Sequence, residues 1–427
     1  MSDPAEKTQR GLWIARTMMV FVLELAWLNL LVAGCSPVPD LLRRGDGLAA
    51  EHKYQEALAA YVEADSHESE TAAGLCRAGN LQLKLGRPDL ALGAFEQALS
   101  KVPESPRAYL GMAKAYLKKG VEATAVQALD RAIKLDPQNP EPWFIKGMVI
   151  RKKGDMAGAL VMFENAIRRN NMYTQAHLRR ADIYFSKGDL DKAIKAYSLA
   201  VRSDPNNSEA LVQIGRTYLL AKQYGRAEET LQKAVLVDRK NAWAQFYLGE
   251  ALIHNRRTEK AIMAFQRALR LNLHLGLAYV RLGQVYEANL MADRAFDSYR
   301  RAVRADSSCF EGFLNLARMQ LDRKQKKKAS RTLQKALDVN SECMPCRVLL
   351  GRLNIERRSY KKAINVLEKV VRADYSNNEA HFFLGRAYLG VGMIGKATAE
   401  YNALAMANDE QRANALLEMI NRKNRRR

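Results

Sequence analysis

The stretch that decides the fold is Pro106–Asn139, which reads PRAYLGMAKAYLKKGVEATAVQALDRAIKLDPQN. Both halves of these 34 residues place apolar side chains at helical spacing, and Gly120 stands between the halves. Small residues lie on one face of each half, at Ala113 and Ala125, and the bulky Leu129 follows on the second half. The spacing predicts two short amphipathic helices joined by a tight turn, whose small residues let the two backbones approach closely.

The same scheme recurs along most of the chain, as eleven consecutive repeats of 34 residues without an insertion. Within each repeat, residue 8 is Gly or Ala, residue 20 is Ala, and residue 24 is Tyr, Phe or Leu. One helical hairpin cannot bury both of its faces, but stacked hairpins can, so the period predicts an all-α solenoid. The predicted repeats are 38–71, 72–105, 106–139, 140–173, 174–207, 208–241, 242–275, 276–309, 310–343, 344–377 and 378–411.

This pattern resembles the tetratricopeptide repeat. The resemblance implies a right-handed superhelix in which the first helix of each repeat lines a concave groove, and a role in protein–protein interaction. In that family residues 6 and 9 of the repeat face the groove, and here one of them is often basic. The candidate partner-binding residues are Arg77, Lys114, Arg179, Arg216, Arg281, Arg318, Arg352 and Arg386.

These basic groove residues favour an acidic or extended protein segment as the partner, because guanidinium groups pair well with carboxylates. The alternative is that they are solvated side chains of a chain whose formal net charge is +22. Such a charge also suits anionic lipid or an acidic polymer, although a protein partner is favoured over nucleic acid. The basic run 323–328, RKQKKK, lies at the turn of the ninth repeat and is either a solvated turn or a binding patch.

The N-terminal residues 1–34 have the organisation of a secretory signal: basic residues, then an apolar run over 18–31, then small residues. Residues 32–35, VAGC, resemble a bacterial lipobox, which implies cleavage before Cys35, acylation of its thiol and a membrane contact through that lipid. Ser36 in place of aspartate points to the outer membrane, with the protein facing the periplasm. Residues 35–37 would then form a short tether. The alternative is an uncleaved transmembrane anchor, although the run is short and contains Glu24.

Among the remaining cysteines, Cys343 and Cys346 have the spacing of a local disulfide. Outside the cytoplasm such a bond is permitted. Free thiols and redox chemistry are the alternatives, but redox chemistry of the thioredoxin type would need a βαβ context. A single CxxC pair with scattered histidines does not complete a zinc site, so no metal is expected.

The chain contains no nucleophile elbow, phosphate-binding glycine loop or HExxH motif. The repeats leave few residues for a catalytic domain, so we expect a protein that is not an enzyme and needs no cofactor. The residues that follow, 412–427, predict a capping helix and a basic tail. The favoured interpretation is a lipid-anchored scaffold for assembly of a bacterial envelope machine, such as a pilus, secretin, motility or secretion system. The alternatives are a basic surface protein that binds acidic polymer or anionic lipid, and an adaptor with an uncleaved anchor.

Overall fold

The structure, a computed structural model, describes residues 37–67 and 72–425. The predicted signal segment 1–34 and the predicted lipidation site Cys35 lie outside the described residues. Within those residues the chain forms 23 helices and no strand. The all-α architecture predicted from the period is therefore confirmed.

The helices follow the period of the sequence. Odd-numbered helices begin 34 residues apart from Pro106 to Asn378. In chain order the helices are α1 Val38–Ala50, α2 Tyr54–His67, α3 Ala73–Lys84, α4 Pro88–Lys101, α5 Pro106–Lys119, α6 Glu122–Leu135, α7 Pro140–Lys152, α8 Met156–Arg169, α9 Thr174–Ser186, α10 Leu190–Ser203, α11 Ser208–Leu220, α12 Tyr224–Val237, α13 Ala242–His254, α14 Thr258–Leu271, α15 Gly276–Ala288, α16 Ala292–Ala305, α17 Phe310–Asp322, α18 Lys326–Val339, α19 Met344–Glu356, α20 Tyr360–Ala373, α21 Asn378–Gly390, α22 Ile394–Met406 and α23 Glu410–Asn424.

The chain divides into two compact units, with the boundary after Gly188. The N-terminal unit contains α1–α9 and the C-terminal unit contains α10–α23. In the N-terminal unit α3 packs against α5; in the C-terminal unit the same relation joins α11 to α13, α15 to α17, and α19 to α21. The odd-numbered helices of neighbouring repeats therefore lie side by side in each unit.

The core is built from the alternation of small and large residues. Tyr299 on α16 is fully buried against Gly283 on α15, and its hydroxyl donates a 2.8 Å hydrogen bond to Glu287. A Cβ atom at Gly283 would lie only 2.5 Å from Cε1 of Tyr299. Only a very small residue at position 8 leaves room for a ring at position 24, which is why the sequence alternates in this way.

Turn and cap residues set the helix ends. Gly120 ends α5 with φ 78°, in the left-handed region where glycine is favoured. Asp155 is the N-cap of α8 and accepts a hydrogen bond from the backbone N–H of Gly158. Asp189 precedes α10 at the equivalent position but does not cap it; its carboxylate accepts a 3.3 Å hydrogen bond from Lys192 instead.

The last helix, α23, covers the final repeat. Ala413, Leu416 and Ile420 are buried against α21 and α22. The helix begins at Glu410, slightly before the predicted start, because the carboxylate of Asp409 accepts from the backbone N–H of Arg412. An apolar stripe on this helix thus closes the open end of the core.

Candidate functional site

The eight predicted partner-binding residues lie on odd-numbered helices, on a face that we call the first-helix surface. It consists of the exposed side chains at residues 2, 5, 6, 9, 12 and 13 of each repeat. The two compact units contribute separate portions of this surface. The structure shows carboxylate partners in the same chain for several of the eight basic residues, whereas Arg318 and Arg386 make no ion pair within the described residues.

Five of the eight form ion pairs with carboxylates on the same or a neighbouring odd-numbered helix. The distances between nitrogen and oxygen are 2.7 to 3.4 Å, and most of the partners are themselves partly exposed. The pairs are Arg77 with Asp46, Lys114 with Glu141, Arg179 with Asp182, Arg281 with Glu250, and Arg352 with Glu356. At these five positions, the positive charge that was expected to bind a partner is therefore largely neutralised by carboxylates of the same chain.

Arg318 and Arg386 differ, because neither makes an ion pair in the part of the chain that the structure describes. The guanidinium of Arg386 lies 5.6 Å from the ring centres of Phe382 and Phe383. Arg216 on α11 acts on Tyr247 of α13: burial raises the pKa of this tyrosine, and the charge of Arg216 opposes the rise. Among the eight basic residues, Arg318 and Arg386 are thus the best placed to bind a carboxylate of a partner.

Arg318 and Arg352 line one cleft of about 600 Å³ on the first-helix surface of the C-terminal unit. Leu314 of α17 and Val348 and Leu349 of α19 form its apolar walls. The full lining is Glu287, Leu314, Arg318, Leu321, Asp322, Met344, Pro345, Val348, Leu349, Arg352, Asn377 and Glu379. The structure therefore brings two predicted site residues together with an apolar surface, which is the composition of a peptide-binding site.

The predicted cysteine pair borders this cleft. The sulfurs of Cys343 and Cys346 are 2.02 Å apart, so the structure places a disulfide at the start of α19. Met344 and Pro345, which lie between the two cysteines, form part of the cleft wall. Both half-cystines are buried, so the disulfide lies on the interior side of this part of the cleft wall and holds its backbone in place. The thiols of Cys76 and Cys309 are free and buried, and burial raises the pKa of each.

A second cavity, of about 450 Å³, lies between α13, α14 and α15. Its polar lining includes Glu250, Arg281 and His254. Burial raises the pKa of Glu250, and the neighbouring Arg281 acts in the opposite direction. Arg281 also approaches Glu311 at 3.8 Å, so one cation serves two carboxylates and this portion of the surface is not basic.

The sequence analysis missed these carboxylates. Glu250 and Asp182 occupy residue 9 of their repeats, and Glu141 and Glu311 occupy residue 2. The positional rule that selected arginines would have selected Glu250 and Asp182 too, had it been applied to acids. The signal was present in the sequence, because acidic and basic residues occupy equivalent positions of different repeats.

Metal binding has no support within residues 37–67 and 72–425, where no group of three or more metal-ligating side chains comes together. In the same residues, none of the helices combines the length and the apolar character that crossing a bilayer requires.

Three family models, each described as tetratricopeptide repeat, match the chain. The first matches residues 76–140, 143–208 and 348–413, the second 185–245 and the third 243–272. No curated protein matches the chain.

Several solved structures are similar to the chain. MamA is 31% identical, with 38% of this chain and 95% of MamA covered and a TM-score of 0.33. The C-terminal part of a TPR repeat-containing protein from Cytophaga hutchinsonii is 15% identical, with 54% and 95% covered and a TM-score of 0.46. YrrB, described as a TPR protein with an unusual peptide-binding site, is 22% identical, with 46% and 97% covered and a TM-score of 0.35.

Proposed function

Because the chain is built of tetratricopeptide repeats, which form scaffolds for protein–protein interaction, we propose that it binds an acidic, extended segment of a partner protein along the cleft between α17, α19 and α21. The observation that carries the proposal is the position of Arg318. It shares an apolar-walled cleft with Arg352, and it makes no ion pair with a carboxylate of the described residues. Arg386 on the next odd-numbered helix would extend the basic row.

The physical basis is the complementarity of the cleft. Guanidinium groups bind carboxylates in a planar, two-point geometry that lysine cannot reproduce. The apolar walls would receive the apolar side chains that alternate with acidic ones in an extended peptide. The cleft also contains Glu287, Asp322 and Glu379, so a uniformly acidic polymer would meet repulsion that a peptide of mixed character can avoid.

The test is a fluorescence-polarisation titration with a labelled 12-residue peptide of alternating glutamate and leucine. Replacing Arg318, Arg352 and Arg386 together by Gln removes three partly exposed charge pairs of about 1 kcal/mol each. The loss corresponds to roughly a hundredfold weaker binding. The matched control replaces Arg267, Lys335 and Lys369 by Gln, since these exposed residues lie on even-numbered helices and remove the same charge. Equal affinity of the triple variant and the wild type would reject the cleft as the binding site.

We also propose that the scaffold is a lipoprotein anchored through Cys35 and that it serves assembly of an envelope machine. The support is the lipobox-like sequence at 32–35. Metabolic labelling with a palmitate analogue tests the anchor. Label is expected on the wild type and absent from Cys35→Ala, whereas an unlabelled wild type that still sediments with membranes would favour an uncleaved anchor. Crosslinking in cells followed by mass spectrometry tests the machine, and recovery of cytoplasmic proteins alone would contradict it.

A further inference from the structure

The turn inside each repeat contains one residue with left-handed backbone, at residue 15 of the repeat. In repeats 2 to 5 and in repeat 11 this residue is glycine, with φ from 72° to 90°. In five consecutive repeats of the C-terminal unit it carries a side chain and has φ from 57° to 60°. These residues are Lys222, Arg256, Leu290, Lys324 and Arg358.

A side chain is unfavourable at this backbone conformation, because Cβ crowds the following carbonyl group. Packing does not compensate, since all five side chains are exposed and Leu290 is 92% exposed. Four of the five are basic. A run of unfavourable residues with one shared chemistry points to a role other than folding.

Contacts between neighbouring repeats bring these turns into one row, which we call the turn edge. Arg257 in the turn of repeat 7 pairs with Glu228 of the repeat before, at 2.6 Å. Arg323 in the turn of repeat 9 likewise pairs with Asp293 at 2.6 Å, and Lys326 reaches Glu356 of repeat 10 at 2.8 Å. Because packed helices have axes about 8–10 Å apart, successive turns present their charges at about that spacing.

The four basic residues with left-handed backbone are the ones whose charge no ion pair neutralises in the described part of the chain. Lys222, Arg256, Lys324 and Arg358 make no ion pair within the residues the structure describes, whereas Arg257 and Arg323 beside them do. Repeats 9 and 10 add further exposed lysines and arginine at the same edge, with Asp322 and Glu356 as the acids. The additional basic residues are Lys327, Lys328, Arg357, Lys361 and Lys362.

Two exposed apolar residues lie in the middle of this basic row. Leu290 and Met291 form the turn of repeat 8, between the basic turns of repeats 7 and 9. Met291 is 44% exposed and Leu290 is almost fully exposed. Exposed apolar side chains flanked by basic ones match the composition of surfaces that bind the interface of an anionic membrane.

We propose that the turn edge of repeats 6–10 binds the surface of an anionic lipid bilayer. Lys222, Arg256, Lys324 and Arg358 contact the headgroups, and Leu290 inserts into the headgroup and acyl boundary. The ligand chemistry is that of a phosphate-bearing lipid in a fluid surface. A nucleic acid would use the same basic charges but would leave Leu290 without a role, because an aliphatic side chain cannot stack on a base as an aromatic one does.

This edge adjoins the cleft between α17, α19 and α21 at Asp322, but the two tests replace different residues, so either activity can fail without the other. The edge variants described next are expected to bind the glutamate–leucine peptide as the wild type does. The cleft variants are expected to retain lipid binding.

The experiment is cosedimentation of the full chain with vesicles of phosphatidylcholine alone and of phosphatidylcholine with phosphatidylglycerol at a 7:3 ratio. The test variant replaces Lys222, Arg256, Lys324 and Arg358 by Gly, the residue found at this position in the other repeats. Each basic residue contributes about fivefold to binding near an anionic surface, so the preference for phosphatidylglycerol should fall about a hundredfold or more. Binding to phosphatidylcholine alone, whose headgroup carries no net charge, should not change.

The matched control variant replaces one exposed basic residue in each of the same four repeats, at residue 26. It carries Lys233→Gln, Arg267→Gln, Lys335→Gln and Lys369→Gln, and removes the same total charge. It should keep the preference for phosphatidylglycerol. An equal loss in both variants would overturn the proposal, because the attraction would then depend on net charge alone.

Leu290→Ser tests the proposed insertion of the leucine side chain into the bilayer. It should weaken binding to the anionic vesicles about tenfold at both low and high salt, because burial of an apolar side chain is not screened. An unchanged affinity would overturn the insertion. Binding of a 20-base-pair DNA duplex that depends on the four residues, together with no preference for phosphatidylglycerol, would also overturn the proposal. Circular dichroism of every variant confirms that the helices are retained.

Discussion

Replacing Leu290 by glycine should make the protein more stable, although the change removes a large apolar side chain. Leu290 has φ 60° and is 92% exposed, so its side chain gains almost nothing from packing. A residue with Cβ in the left-handed region costs about 1–2 kcal/mol relative to glycine. Glycine in turn loses about 0.4–1 kcal/mol through the greater entropy of the unfolded chain. The net expectation is a gain of about 0.5–1 kcal/mol.

Urea unfolding followed by far-ultraviolet circular dichroism measures this gain. Leu290→Ala is the control that retains the unfavourable backbone conformation, and it should match the wild type within a few tenths of a kcal/mol. Lys335→Gly is the control of opposite sign, because Lys335 is exposed in the middle of α18, where glycine costs about 1 kcal/mol. Because the chain is a repeat array, the comparison uses the shift in midpoint at unchanged slope.

The result that would refute the reasoning is a Leu290→Gly variant no more stable than Leu290→Ala. The leucine would then be stabilised by something other than its visible contacts. The four basic residues at the equivalent position should behave like Leu290 at high salt, where relief of charge repulsion no longer contributes. Lys324→Gly against Lys324→Gln separates the backbone effect from the loss of charge.

Four further predictions concern buried residues of the repeats and of the last helix. Gly283→Ala should destabilise the C-terminal unit by about 1–3 kcal/mol in the same urea assay, because the new Cβ would lie 2.5 Å from Tyr299; a change below 0.5 kcal/mol would contradict the close approach. Leu416→Ala should cost about 2–5 kcal/mol, since Leu416 on α23 is fully buried, and the exposed Met419→Ala is its control. The hydrogen bond to Glu400 raises the pKa of His381 above its usual 6.5, with burial opposing. The stability from this pair is therefore present below pH 6.5 and is lost as the pH rises through the higher folded value; His381→Gln should remove that dependence, and an unchanged pH profile would contradict it. His177 gives the opposite sign, because burial lowers its pKa and the associated stability is lost as the pH falls.

The fold was accessible from the sequence because its determinants are local and repeated eleven times. The close approach of Gly283 and Tyr299 is one instance of a rule about small and large residues that the sequence shows in every repeat. Helix ends were less predictable. Asp155 caps its helix and Asp189 does not, and the difference lies in a single competing contact with Lys192. A residue pattern does not show which of two possible hydrogen-bond donors a carboxylate will contact.

The candidate site was accessible only in part. Sequence position placed Arg318 and Arg352 on one surface, but their common cleft depends on how α17 and α19 pack. The internal pairing of Arg281 with Glu250 depends on distances between repeats and was not predicted. The turn edge was even harder to predict from the sequence. The run at 323–328 stood out by composition, whereas Lys222 and Arg256 became notable only once the structure showed their backbone conformation.

The formal net charge of +22 is therefore distributed unevenly over the molecule. Five of the eight candidate basic residues on the first-helix surface pair with a carboxylate of the same chain, so their long-range field is largely cancelled. At the turn edge the four basic left-handed residues make no ion pair within residues 37–67 and 72–425, and their field extends into solvent with a range of about 10 Å at 0.1 M salt. It follows that salt should weaken binding at the turn edge far more than binding in the cleft, where apolar walls contribute and nearby acids already screen the arginines. The two surfaces of one chain can thus be distinguished by ionic strength alone, before any residue is replaced.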